Sequence, residues 1–394
     1  MSAEIRIPRY RSPQGKKIEL NLPRTLDGFI AVHHSGQGPG LLLLAQGGLL
    51  TDGIKARAIL FAEEGYSVLA IAETLTPNEI YAASQHLKDL PATVSGLVAV
   101  GYQKSGNPLF DETVANIFSA IVTFDTSEIL ERSELLEKVP CPFVCHFGIS
   151  GQEKVARRIG KAQQELKRKD GSRIFMWEEG APGFSEPDND NFESRADDLA
   201  HTRTLELIRR VVGPYYDFVS LFAEHVYHEF TSKDVDATMA TMIEEPYVNH
   251  VPTLAGGVGH DMLKRFYKYH FVDQNGGGRD RTRISYTMGP NRVVLETYTK
   301  FCHDSVIDRY FPGIEPTYKN VEIATVIIVK FRGDKVCHEH LYWDQGSALK
   351  QIGVLDAGNL PLAGPEAARK VLDENMPSNI YMQDAWRTSE GKPL

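Results

Sequence analysis

The pattern of the chain changes at Gly213-Pro214, and that change constrains its fold more than any other feature. Before it, short apolar runs alternate with segments of helical period. Gly40–Ala45 (GLLLLA), Tyr66–Ile71 (YSVLAI), Val94–Val100 (VSGLVAV), Ala120–Phe124, Phe143–Phe147 and Ile174–Trp177 read as strands. Ile54–Glu64, Thr113–Ser119, Lys154–Arg168 and Arg195–Val212 read as helices. Strands without a polar face belong in a parallel sheet covered by helices on both sides. Residues 1–214 therefore predict an α/β domain with a mostly parallel sheet. After the change come helical stretches at Tyr215–Phe230, Asp234–Met242 and Asp261–Phe271. Long alternating runs follow at Thr282–Met288, Arg292–His303, Asn320–Arg332 and Lys335–Asp344. Helices followed by alternating strands predict an α+β domain over 215–355 with a curved antiparallel sheet. Residues 356–394 read as a tail with one helix signal, Pro365–Glu374.

A length of 394 residues suits two such domains. With 43 basic and 52 acidic residues the net charge is −9, and no basic face stands out; a nucleic-acid partner is not expected. The densest basic stretch, Lys161–Lys169, reads as the solvated face of a helix. No window reaches the ~18 apolar residues of a membrane span, and the polar start MSAEIRIPRYRSPQGKK shows no secretory signal. Four cysteines do not make a disulfide framework, so the expected location is the cytoplasm. Cys141 and Cys145, four residues apart on a strand, stand ~13 Å apart, too far for a disulfide or a shared metal.

A strand-to-helix turn of the form G-x-[SC]-x-G presents a nucleophile in α/β hydrolases. The turn after the strand ending at Val100 reads Gly101-Tyr102-Gln103-Lys104-Ser105-Gly106. An amide side chain occupies the nucleophile position, and Ser105 lies two residues late. Residues 20–212 nevertheless resemble the dienelactone hydrolase family, on GIKARAILFAEEGYSVLAI (53–71), VPCPFVCHFGISG (139–151), WEEGAPGF (177–184) and the helix containing Thr202-Arg203-Thr204. The resemblance implies a Cys or Ser nucleophile, an Asp and a His. At the matching positions stand Gln103, Gly151 and Pro182, so it also implies a domain that has lost its triad. Ser105, His146 and Ser150 do not rebuild one.

The second domain gathers polar groups inside apolar strand patterns. His250 lies within Val248–Pro252. Gly256-Gly257-Val258-Gly259 is better read as a close-approach turn than as a phosphate cradle, because no P-loop Lys-Ser/Thr follows. On Arg292–His303, Glu296, Tyr298 and Lys300 share one face. On Cys337–Gln345, His338, His340, Tyr342 and Asp344 share one face, and Glu339, Leu341 and Trp343 the other. His338-Glu339-His340 beside Asp344 supplies ligand types, but their strand spacing does not make them converge. No metal and no cofactor are expected. A His near a carboxylate points instead to acid/base work near neutrality.

Residues 245–380 resemble the SnoaL-like polyketide-cyclase family, on YVNHVPTLAGGVGHDMLKRFYKYHF (247–271), FCHDSVIDRYFPGIEPT (301–317), HEHLYWDQ (338–345) and 360–379. The resemblance implies a cone-shaped nuclear-transport-factor-like fold, a ligand between curved sheet and helices, and cofactor-free acid/base chemistry. Its implied catalytic candidates are Asp344, His250, Glu296, His303, Asp304 and His340. Asp344 or Glu296 would serve as base, with His250 or His303 as acid or orienter. Tyr342, Tyr298, Tyr247 and Trp343 are the candidate substrate contacts. The expected function is a cyclase or isomerase, pericyclic chemistry included, on a polyketide- or terpenoid-like small molecule. The alternatives are a dienelactone or ester hydrolase and a non-catalytic binding scaffold. The expected partners are a small-molecule substrate and a second copy of the chain, with no nucleic acid and no membrane.

Overall fold

Residues Gly38–Leu44 are buried along their whole length, because each face of their sheet is roofed by helices. Leu42 and Leu44 pack with Leu69, Ile71, Ala99 and Ile121 on one face. Leu41 and Leu43 pack with Val68, Ala70, Val98 and Val122 on the other. The computed structural model describes residues 9–393 and comprises two units, one of Ser12–Tyr216 and one of Asp217 onward together with the segment up to Arg11.

The first unit holds β1 (Lys16–Asn21), β2 (Thr25–Val32), β3 (Gly38–Leu44), β4 (Ser67–Ile71), β5 (Thr93–Tyr102), β6 (Ala120–Phe124), β7 (Phe143–Gly148) and β8 (Arg173–Trp177). Their spatial order is β1-β2-β4-β3-β5-β6-β7-β8. β1 and β2 are antiparallel additions at one edge; the other six strands run parallel. The helices are α1 (Asp52–Glu63), α2 (Pro77–Asp89), α3 (Glu112–Ala115), α4 (Glu153–Glu165) and α5 (Ser194–Val212). This is the expected α/β layout with a mostly parallel sheet. α2 had gone unread, yet Thr76 and Glu79 form a capping box with Pro77 in the first turn, a start signal present in the sequence. The helix expected at Thr113–Ser119 is only the single turn of α3.

The second unit holds α6 (Phe218–Phe230), α7 (Val235–Ala240), β9 (Met242–His250), β10 (Ala255–Val258), α8 (His260–His270), β11 (Gly277–Met288), β12 (Arg292–Cys302), β13 (Asn320–Arg332), β14 (Lys335–Trp343), α9 (Gln345–Ile352), α10 (Pro365–Leu372) and α11 (Gln383–Arg387). The sheet order is β10-β9-β14-β13-β12-β11. Every pairing is antiparallel except β14 with β9. β10 takes the Gly-rich stretch as an edge strand. A Cβ at Gly256 would stand 2.1 Å from the carbonyl oxygen of Val248, so glycine lets β10 lie against β9. The segment after 355 is not a free tail: Ala368 is buried, and Arg369 donates two bonds of 2.7 Å to Glu322 on β13. Among the described residues no helix is long and apolar enough to cross a membrane.

Candidate functional site

In the first unit the turn after β5 keeps the geometry of a nucleophile elbow. Gln103 has φ +47°, the left-handed region that costs a side-chain-bearing residue about 1–3 kcal/mol. Gly101 and Gly106 flank it; a Cβ on Gly101 would lie 2.6 Å from the Cα of Gly106. The Gln103 amide carries hydrogen bonds rather than chemistry. Its Oε1 accepts from Gln46 Nε2 at 2.7 Å, and its Nε2 donates to Glu186. Ser105 is buried and donates to the carbonyl of Ala45 at 2.8 Å. Gly151 (φ +71°) follows β7, and Pro182 accepts from Asn191 through its backbone oxygen. Burial pushes the thiols of Cys141 and Cys145 up to about 11 and about 12, where they are inert at neutral pH. A cavity of about 140 Å³ beside the turn is lined by Gln46, Arg57, Tyr102 and Glu186 among others.

His146 is a satisfied core histidine. Trp177 Nε1 donates to its Nδ1 at 3.2 Å, so the proton sits on Nε2, which faces Thr204 Oγ1 at 3.1 Å. Burial holds its pKa down to about 3.

Asp125, after β6, accepts from the peptide N–H groups of Gly148 at 2.8 Å and Gly183 at 2.7 Å. Burial outweighs these bonds and raises its carboxyl to about 7. The folded state therefore binds this proton more tightly than the unfolded state. Its contribution is fully present below about pH 4 and is lost as pH rises through about 7. Wild type minus Asp125→Ala in urea-unfolding free energy is expected to fall across that window; a flat difference would contradict the assignment.

The second unit brings its polar groups together where the sheet meets α6 and α8. α6 turns Phe222, His225 and Glu229 inward, three and four residues apart on one helical stripe. β14 adds Glu339 from the face that also carries Leu341 and Trp343. Thr241 Oγ1 donates to Thr238 O at 2.6 Å. It must therefore accept the 2.6 Å bond from His225 Nδ1. The other ring nitrogen, Nε2, stands 3.1 Å from Glu339 and 3.3 Å from Glu229. A lone pair there would face two carboxylate oxygens, so Nε2 carries a proton and the ring is an imidazolium. Burial opposes that charge, but Glu339 and Glu229 outweigh it and push the ring up to about 10. Glu229 is lowered, burial being overcome by His225, whereas burial keeps Glu339 raised. The three ligand atoms lie within 4.8 Å of one another, a spacing that suits a metal. Three guanidiniums line the same cavity, however, and they oppose a further cation.

That cavity, about 20 Å³, is lined by Glu229, Glu339, His250, Tyr267, Arg279, Arg281, Arg309 and Tyr310 with apolar side chains. His250 is 1% exposed. Its Nδ1 donates to the carbonyl of Ala255 at 3.1 Å, which leaves a lone pair on Nε2, an atom buried without a partner. Phe266, Phe271 and Trp343 surround the ring at 5.6, 5.9 and 6.1 Å between centroids. Burial holds its pKa down to about 4, so the ring is neutral at physiological pH, with its Nε2 lone pair free of a proton. Burial alone would raise the Tyr310 phenol, but Arg309, Arg279 and Arg281 reverse this and leave it below its ordinary value.

Of the residues expected to form the site, His250 lines the cavity and Trp343 packs beside it. The others lie elsewhere. Asp344 is exposed and caps α9, accepting from Ser347 N at 3.0 Å. Asp304 is exposed and accepts from Gly277 N at 2.8 Å. Glu296 and Tyr298 are on the opposite face of β12, where Ser285 donates to Glu296 at 3.2 Å and Tyr298 to Glu322 at 2.9 Å. His340 meets Tyr247 (5.2 Å) and Tyr342 (6.5 Å) edge to face on the outward face of β14. His303 is buried, but against Phe311 at 4.7 Å and Thr317 at 3.1 Å. The sequence reading missed His225, Glu229, Glu339, Tyr267 and the three arginines. The signal existed: Glu339 alternates with Leu341 and Trp343, and an inward strand face is marked by its apolar members.

No known family's sequence profile matches the chain, and no curated protein matches it. Solved structures resemble it over about half its length. One is a dienelactone hydrolase-like promiscuous phosphotriesterase from metagenomic libraries, 16% identical, covering 51% of this chain and 100% of that one at a TM-score of 0.42. Another is a putative dienelactone hydrolase from Klebsiella pneumoniae, 10% identical, covering 50% and 98% at 0.42. The dienelactone hydrolase of Anabaena variabilis is 14% identical, covering 52% and 100% at 0.40.

Proposed function

We propose that the chain is a cofactor-independent acid/base enzyme working in the cavity of its second unit, a cyclase or isomerase of a small carbonyl-bearing metabolite of polyketide or terpenoid type. The observation that carries this reading is the lone pair of His250 Nε2, buried in an aromatic box and fixed by the Nδ1–Ala255 bond. A neutral imidazole in that position removes a proton next to a carbonyl. Tyr310, its phenol made more acidic by the arginines, supplies the hydrogen bond to the developing oxyanion. In this reading the first unit is a former hydrolase. Gln103 occupies the turn where a nucleophile would stand, and its amide is tied to Gln46 and Glu186.

The test is deuterium exchange at the α-carbon of a panel of β-dicarbonyl compounds in D₂O, followed by NMR. His250→Ala is expected to slow exchange by roughly 10²–10⁴-fold, and Asp344→Asn to leave the rate unchanged once its cap loss is checked by unfolding. Because His250 is lowered to about 4, wild-type activity should persist below pH 6 and fail only near pH 4. Wild-type exchange in His250→Ala would end this reading.

A further inference from the structure

The charges lining the second unit's cavity do not cancel. Arg279, Arg281 and Arg309 face it, against Glu229 and Glu339. The extra proton beside the two glutamates, on His225, adds a further positive charge. Even without that proton the cavity is cationic by one charge.

The three guanidiniums are not equally engaged. Arg309 is held by the fold, with Nη1 donating to the backbone carbonyl of Gln274 and Nη2 to Asn275 Oδ1 at 2.9 Å. Arg279 Nη1 shares that same Asn275 oxygen at 2.6 Å. Arg279 Nη2 and Arg281 Nε, by contrast, are buried without a hydrogen-bond partner. Both guanidiniums lie over the ring of Phe230, at 4.4 and 5.2 Å. Buried donors left without a hydrogen bond are costly unless something meets them. Burial accordingly drags Arg279 down to about 9.

β11 delivers this pair by its alternation. Arg279 and Arg281 share the partly buried face, whereas Arg283, the last residue before a register shift, is exposed. The space among them, about 20 Å³, has room for one water-sized group. That is the size of one carboxylate or enolate oxygen, with the remainder of the ligand outside.

We infer that the cavity is an anion-recognition site: Arg279 and Arg281 take up an oxygen of the carboxylate or enolate of a small organic acid in the cavity that His250 also lines. This deepens the acid/base reading and rests on it for the role of His250. The binding claim stands on the two free guanidinium donors alone. A paired guanidinium site recognises a planar oxyanion through charge-assisted bonds and stabilises the enolate that proton removal creates.

The experiment titrates the full chain with acetoacetate and with its neutral methyl ester at constant ionic strength, reading binding by ligand-observed NMR. Acetoacetate is expected to bind saturably and the ester at least roughly tenfold more weakly. Arg281→Met should weaken acetoacetate by roughly 30-fold or more. Arg281→Lys should recover part of that, which guards against a folding defect in the methionine variant. Arg283→Met, on the same strand but exposed, should bind like wild type. Equal binding of acid and ester, no saturable binding, or indifference to Arg281→Met would each overturn the inference. His250→Ala separates the two claims, since it should keep acetoacetate binding while losing exchange. Exchange that depends on His250 in a protein that ignores the anion would sink this inference and leave the acid/base reading standing. Anion binding with undiminished exchange in His250→Ala would do the reverse.

Discussion

Replacing His225 by alanine is expected to destabilise the second unit by about 3–5 kcal/mol, the cost of breaking a buried ion pair by removing one partner. The ring is fully buried, and its Nε2 proton lies between Glu229 and Glu339. Without it two carboxylates face each other where burial already disfavours their charge. The loss should appear in the urea midpoint at pH 7. It should shrink at acid pH, as the pH falls through the lowered value of Glu229 and the folded state loses that paired carboxylate. Adding Glu339→Gln to His225→Ala should recover part of the loss, because the repulsion is a property of the pair. A single-variant loss under about 1 kcal/mol would show that the trio is neutral or hydrated.

The second large effect belongs to the first unit. Glu64 is 1% exposed, just past α1, and accepts from Arg209 Nη2 at 2.6 Å and from His201 Nε2 at 3.0 Å. Arg209 also covers the Tyr216 ring at 5.1 Å. Arg209→Met keeps the aliphatic bulk and removes the charge. It is expected to cost about 3–5 kcal/mol, whereas Arg209→Met combined with Glu64→Gln should cost clearly less. If the double variant is no better than the single one, packing of the arginine stem on Tyr216 explains the loss rather than the charge.

The α/β layout was legible because the buried strands are apolar on both faces, and a run such as Leu41–Leu44 has no other stable home. β13 was legible residue for residue, from Asn320 to Arg332, through its alternation. β1 and β2 were not, because edge strands with polar faces such as Lys16–Asn21 look like loops. For the site, residue type misled. Asp304 directly follows His303 and Asp344 lies four residues after His340, but a carboxylate at a strand end caps helices and turns as readily as it catalyses. His340 and Tyr342 share a strand face, but it is the outward one. What decides a site is which polar group lies on the apolar face. His225 and Glu229 on the stripe of Phe222, and Glu339 beside Leu341, satisfy that test. Arg279 and Arg281 do not announce themselves, because they precede the run expected at Thr282–Met288 and no apolar neighbour marks their face of β11.

The one parallel pairing in the second sheet, β9 against β14, bears on how the chain comes off the ribosome. Tyr216 closes the first unit, which then has every strand it needs. β9 emerges soon afterwards with only short β10 beside it, and its other neighbour is made some ninety residues later. Until β14 arrives, the edge carrying His250 is open, and Glu339 has not yet met His225. The second unit of this protein is thus assembled by its last-made strand, so translation arrested before Trp343 should yield a finished first unit carrying an unfinished passenger.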